Sequence, residues 1–456
     1  MKIECTGISR LSGPLLFLTG VSGIGYDEMA EITLDSGERR YGRVIQIDGD
    51  MVGIQVFQGT EGISPVNAHI SFTGRPIELA LSGEILGRIF NGAGNPIDGL
   101  GDVFPVERRD INGAAINPVS RKYPRSCIYT GISTIDAAAT LIRGQKLPIF
   151  SGAGLSHNML AAQIVRQAKI GGEKENFSII FCAMGVKNDV ADFFRRNFEE
   201  AGVLSRVSMF LNLASDPIIE RILTPRCALT AAEYLAFRLG HHVLVIMTDM
   251  TSYCEALREY SSSKGEIPSR KGFPSYMYSD LASLYERAGM IEGCDGSVTQ
   301  MPILSMPNDD ISHPIPDLTG YITEGQIVLS RELEQKAIYP PIAILPSLSR
   351  LMKDGIGEGY TRADHPFVSN QLFAAYSKVQ EARSLASVIG EDELGDTDRR
   401  YLEFGRRFES EFVNQDLMEN RSLDRTLQIA WQLLSLLPRD ELDRIDEALL
   451  DQYYRG

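Results

Sequence analysis

Three successive patterns predict a multidomain protein: an N-terminal all-β barrel, a central α/β domain and a C-terminal α-helical bundle. Up to about Phe72, apolar and polar residues alternate in runs of five to seven between glycine turns, as in a small barrel. From there to Ser349, wholly apolar runs alternate with stretches of helix length, the signature of a mainly parallel sheet covered by helices. Beyond that, glycine thins out, and Leu, Phe and Ala recur among many charges. The expected boundaries are 1–72, 73–349 and 350–456.

In the first domain the strands are Ala30–Leu34, Tyr41–Ile47 and Met51–Phe57, separated by turns at Asp35-Ser36-Gly37 and Asp48-Gly49-Asp50. In the second, strands are expected at Leu147–Phe150, Ser178–Ala183, Val207–Leu211, Val243–Met247 and Ser297–Met301. Helices are expected at Asn158–Lys169, Val190–Gly202 and Pro217–Gly240. In the third, helical periodicity runs through Asn370–Tyr376, Tyr401–Phe404, Leu427–Leu437 and Leu442–Tyr454, with breaks at Gly395 and Pro438. This last domain holds 21 acids against 14 bases, nearly half of the net charge of −15.

The balance of 45 Lys and Arg against 60 Asp and Glu repels nucleic-acid backbones and anionic lipid, and no basic block offsets it. No nucleic-acid partner is therefore expected. The six cysteines are scattered without a C-x-x-C pair, which suits reduced intracellular thiols and argues against zinc; no metal site is expected. The amino-terminal residues do not read as a secretory leader, and no apolar run approaches the 18 or so residues that span a bilayer. Work at a membrane would be as a peripheral part.

Ligands in such α/β folds sit where a glycine-rich loop joins a strand to a helix. Here Ser151-Gly152-Ala153-Gly154-Leu155-Ser156-His157-Asn158-Met159 follows an apolar strand and opens an apolar helix. Laid over G-x-x-x-x-G-K-[ST], Gly152 fits, but His157 replaces the second glycine, Asn158 the phosphate-binding lysine and Met159 the magnesium-binding hydroxyl. Val243–Met247 leads through Thr248 to Asp249, as a magnesium-shell acid does; by itself this is a weak sign, since an Asp after a buried strand is often only the cap of the next helix. Together they indicate a P-loop-type (RecA-like) core that has lost triphosphate hydrolysis.

Longer stretches make the resemblance specific. They are Gln55-Val-Phe-Gln-Gly-Thr-Glu-Gly-Ile63, Gly144-Gln-Lys-Leu-Pro-Ile-Phe150, Asn212-Leu-Ala-Ser-Asp-Pro-Ile-Ile-Glu-Arg221, Thr224-Pro-Arg-Cys-Ala-Leu-Thr-Ala-Ala-Glu-Tyr-Leu-Ala236, Val245-Ile-Met-Thr-Asp-Met-Thr251, Asp317-Leu-Thr-Gly-Tyr-Ile-Thr-Glu-Gly-Gln326 and Pro346-Ser-Leu-Ser-Arg350. The chain resembles, over essentially its whole length, the non-catalytic B subunit of V-type (archaeal and bacterial V/A-type) rotary ATPases and ATP synthases.

That resemblance implies a ring of three B subunits alternating with three catalytic A subunits, with ATP or ADP at the A/B interfaces and magnesium carried mainly by A. It implies no hydrolysis by this chain alone: where a catalytic member has G-E-R, this chain has Gly185-Val186-Lys187. Valine can neither orient water nor accept a proton. It implies an arginine finger at Arg350, the last residue of P-S-L-S-R, offered in trans to the nucleotide on the neighbour. Ser347 and Ser349 fall in the same interface loop, and Gly152, Gly154 and Asn158 form a degenerate loop not expected to hold ATP. The longer signature P-[SAP]-[LIV]-[DNH]-x-x-x-S-x-S fits Pro340 to Ser349 except at Ala343. Further implied partners are a central rotor stalk and a peripheral stalk, with the barrels as a fixed crown and the helical domains moving against the shaft. The place is the cytoplasmic face of a membrane, without insertion.

An F-type α subunit also donates an arginine finger but normally keeps an intact lysine loop, so His157-Asn158-Met159 speaks against it. Type III secretion motors and Rho-like RNA translocases need that lysine too. A purely structural ring spacer would have no use for Arg350 in its motif.

Overall fold

The computed structural model describes residues 3–171 and 176–455. Seven antiparallel strands from Ile3–Thr6 to His69–Phe72 form one sheet, in which the last strand pairs with both the first and Met29–Thr33. Its core is the alternating set Leu16, Leu18, Ala30, Ile32, Val44, Val52, Ile54, Ile70 and Phe72. Leu15–Leu18 is buried on both sides: Leu16 and Leu18 point into the barrel, while Leu15 and Phe17 join the core of the next domain. A strand with two apolar faces is how the sequence welds barrel to core.

The central sheet runs in the order Ile342–Ser349, Gly325–Leu329, Ile149–Gly152, Ser297–Met306, His242–Thr248, Phe177–Val186, Val207–Leu213 and Ile89–Asn91. All pairs along this path are parallel except the first, which is antiparallel. The unbroken apolar runs follow from burial on both faces. Ile180, Cys182, Met184, Val243, Val245 and Met247 pack under helices Ile218–Phe237 and Met250–Ser263, while Ile179, Phe181, Leu244 and Ile246 pack under His157–Gln167 and Asn188–Glu200. Phe181 meets Phe194 at 4.4 Å between ring centroids and Phe198 at 5.3 Å. Each such buried ring stabilises by about 1.5–3 kcal/mol.

The expected central strands and helices are present, most of the strands longer than expected. Three more strands, Ile89–Asn91, Gly325–Leu329 and Ile342–Ser349, extend the sheet, and Arg121–Lys122 and Gly289–Ile291 join it off this path. In the carboxyl part, helices His365–Ile389, Asp396–Arg407 and Leu423–Leu434 share a core with Ala137, Leu333 and Ile344 of the central domain. The expected helix from Leu442 begins only at Glu447. Leu442 and Ile445 are buried as anchors of a non-helical approach that ends on Asp446. Among the described residues no helix is long and apolar enough to cross a membrane.

Glu220 sits on the central helix Ile218–Phe237 and is buried. Burial, helped by Asp216, pushes its carboxyl up to about 7. The folded chain thus holds this proton more tightly than the unfolded chain, whose group titrates near 4.5. The stability that Glu220 contributes therefore falls as pH rises from about 4.5 to about 7 and does not return above that. Glu220→Gln, uncharged throughout, is expected to be more stable than wild type by about 1–2 kcal/mol at pH 8, with the gap closing toward pH 4.5. Denaturant melts across that range check it; a gap independent of pH would refute it.

Candidate functional site

The glycine loop lies where the expected topology puts it, between strand Ile149–Gly152 and helix His157–Gln167. Gly154 has φ of +81° with open space around it, whereas Gly152 is held close: a Cβ there would lie 2.0 Å from Asp309 Oδ1. That carboxylate is forked by Arg331, Nε to Oδ2 at 2.6 Å and Nη2 to Oδ1 at 2.9 Å, and Arg331 Nη2 also donates to the Ala153 carbonyl at 2.9 Å. The guanidinium holds Asp309 below the usual carboxylate range. A second acid, Glu334, accepts from Ser156 Oγ at 2.7 Å, at the amino end of the helix.

His157, in place of the second glycine, pairs its Nδ1 with Ser151 Oγ at 2.9 Å, and burial lowers its pKa, so it is neutral at pH 7. Asn158 is half-buried and Met159 exposed. A phosphate seat needs unspent N–H groups and a cation at the helix amino terminus. Here the nearby guanidinium is already matched to Asp309, and Glu334 brings a further negative charge. The residues at this loop do not fit a magnesium triphosphate.

Asp249 follows His242–Thr248 and caps helix Met250–Ser263: its Oδ1 accepts from Thr251 N at 2.9 Å and from Ser305 N at 3.1 Å. Val186 is half-buried at the end of its strand, and the exposed Lys187 immediately precedes the helix that follows.

Arg350 stands at the other end of the sheet. Strand Ile342–Ser349 runs antiparallel to Gly325–Leu329, with Ser349 opposite Gly325, and the Arg350 backbone N–H donates to the Glu324 carbonyl at 2.9 Å. Gly325 is required there: its φ is +135°, and a Cβ would lie 2.0 Å from the Leu348 carbonyl. Phe150 lies opposite Val328, three residues or about 10 Å along the strand from Gly325, and the glycine loop lies farther still. The Arg350 side chain is exposed, and among the described residues no ion pair or hydrogen bond engages it.

Both candidate serines turn inward. Ser347 Oγ donates to Ala343 O at 2.6 Å and accepts from Val328 N at 2.9 Å, bridging the register shift between Gln326 and Val328 that lies beside Pro346. Ala343 thus contributes its carbonyl. Ser349 Oγ donates to Thr140 O at 2.8 Å and accepts from Gln145 Nε2 at 2.9 Å. Sequence reasoning missed Asp309, Arg331 and Glu334 around the loop, which no motif marks, and gave no role to Glu324 behind Arg350, although it lies in the Asp317–Gln326 stretch.

Comparison with known proteins agrees with this layout. Residues 8–74 match the ATP synthase alpha/beta family beta-barrel domain, 131–349 its nucleotide-binding domain, and 354–454 the C-terminal domain of V and A type ATP synthase. The V-type ATP synthase beta chain 2 of Clostridium tetani is 64% identical over the full length of both chains. The chain belongs to the V/A-type ATP synthase beta-chain family. The V-type beta chain of Halothermothrix orenii is 61% identical, covering 99% of this chain and 98% of its own. The V-type beta chain of Thermotoga neapolitana is 57% identical, again over 99% and 98%. A solved structure of the ATP synthase subunit NeqB from Nanoarchaeum equitans is 41% identical, with a TM-score of 0.74, covering 93% of this chain and all of that one. As a member of this family the chain is a subunit of a rotary ATPase, and its three fold classes follow those of the family.

Proposed function

We propose that this chain is the non-catalytic, regulatory subunit of a proton- or sodium-translocating V/A-type complex. It alternates with three catalytic A subunits and donates Arg350 to ATP at the shared interface. The observation that carries this is the position of Arg350: exposed, without a partner among the described residues, and at the opposite end of the sheet from the chain's own glycine loop. A guanidinium so placed serves a nucleotide on another chain. The magnesium nucleotide belongs mainly to A, the domain boundaries fall at 72/73 and 349/350, and the complex attaches peripherally to the cytoplasmic face of a membrane. The barrels form a fixed crown held by a peripheral stalk, and the helical domains move against the central stalk.

ATP turnover by the reconstituted complex, with and without the Arg350 guanidinium, tests the finger. The loop has its own test. Titration of the isolated chain with magnesium ATP in a calorimeter is expected to show no saturable binding at the Gly152 loop, because Asn158 supplies no charge, the Arg331 guanidinium is spent on Asp309 and Glu334 supplies the wrong charge. Tight magnesium-dependent binding that a substitution in the loop removes would overturn this.

A further inference from the structure

We propose that Gln145 is a positioning residue for Arg350, setting the place of the finger through the backbone of Ser349 and Glu324. This rests on reading Arg350 as the finger. Since no side-chain contact among the described residues holds its guanidinium, its aim is inherited from the backbone at the end of strand Ile342–Ser349.

Gln145 is fully buried at that point and uses all of its amide. One Nε2 proton goes to Ser349 Oγ at 2.9 Å, the residue before the finger. The other goes at 3.1 Å to the Glu324 carbonyl, the same oxygen that accepts the Arg350 backbone N–H. Its Oε1 accepts from Ile142 N at 2.9 Å. Lys146 pins the other end of Glu324: its backbone N–H donates to Oε2 at 2.8 Å, and its buried Nζ lies 2.8 Å from Oε1 and 2.9 Å from Glu286 Oε1. Gly144 N donates to Thr299 Oγ1 at 2.8 Å, fastening the clamp to the middle of the sheet. Three consecutive residues thus connect the central sheet to the backbone of the finger.

An arginine finger acts in the transition state, where a misplacement of about 1 Å can cost about 100-fold in rate. Loss of the clamp is therefore read in kcat more than in KM. Gln145→Glu keeps size and the acceptor for Ile142 N but removes both donors facing Ser349 and Glu324. In the reconstituted complex it is expected to lower kcat by about 10- to 100-fold, with KM for ATP within about threefold of wild type.

The deciding measurement is a double-mutant cycle with Arg350→Ala, followed by single-turnover hydrolysis. If Gln145 works through the finger, Gln145→Glu has no further effect beyond about twofold once Arg350 is gone. An equal loss in both backgrounds assigns Gln145 to general architecture and overturns the proposal, as does a Gln145→Glu complex that turns over at the wild-type rate. If Arg350→Ala alone keeps more than half the wild-type turnover, the finger reading itself fails, a result separate from either of these. Should Gln145→Glu not assemble, Ser349→Ala, which removes the hydroxyl end of the clamp and leaves Gln145 in place, goes through the same cycle with the same readings.

Discussion

Arg350→Ala in the reconstituted complex is expected to lower ATP turnover by about 10³- to 10⁵-fold while the ring still assembles. The size follows from what a guanidinium does in phosphoryl transfer. Charge spreads over the oxygens of the moving phosphoryl group, and a planar, permanently charged fork meets it where water is excluded. Assembly is expected to survive because the side chain is exposed and, among the described residues, holds nothing in its own chain. Arg350→Lys keeps the charge and loses the fork, so it is expected to fall between alanine and wild type. Steady-state hydrolysis with size-exclusion analysis of the same preparations checks both halves. More than half the wild-type turnover in the alanine variant would sink the assignment, and a ring that fails to form would make Arg350 an assembly residue instead.

How much of this was readable from the sequence depends on whether each element's chemistry is local. The barrel strands announced themselves by alternation, and runs such as Val243–Met247 by uniform apolarity, because pleat and two-sided burial act residue by residue. Strand Ile342–Ser349 did not, since Pro346, Ser347 and Ser349 break its apolar pattern. Only in the fold does Ser347 Oγ accept the Val328 N–H across the register shift beside Pro346. The loss of the loop lysine was plain at Asn158. That Arg331 and Asp309, 22 residues apart, would close over Gly152 was not, because the turn after the central strand Ser297–Met306 and the start of helix Arg331–Gln335 bring them together. Asp249 caps a helix, one of its two sequence readings. The same limit hid Gln145, whose three partners lie at positions 142, 324 and 349 and share no pattern along the chain.

Arg287→Met is expected to destabilise the central domain by about 3–5 kcal/mol, a large share of what holds a domain together. Arg287 is fully buried, and each of its five N–H donors has a target. Nε and Nη2 fork Glu233 at 2.6 and 2.8 Å, Nη2 also donates to Thr230 Oγ1 at 2.8 Å, and Nη1 reaches the carbonyls of Ile111 at 3.0 Å and Arg226 at 3.4 Å. It therefore ties the chain after helix Met277–Tyr285 both to helix Ile218–Phe237 and to the segment at Ile111. Methionine fills the volume but strands the Glu233 carboxylate in a poorly hydrated place and leaves the Ile111 carbonyl without this donor, and that unpaired charge is the larger loss. The double variant Arg287→Met with Glu233→Met removes the stranded charge as well, so it is expected to recover at least about 1 kcal/mol relative to the single change. Arg287→Lys, with three donors and no planar fork, cannot reproduce the five bonds and is expected to lose stability too. Denaturant unfolding of the isolated chain, read at the transition of the central domain, measures all three; a single variant within about 1 kcal/mol of wild type would mean that the pair is a surface-like contact despite its burial.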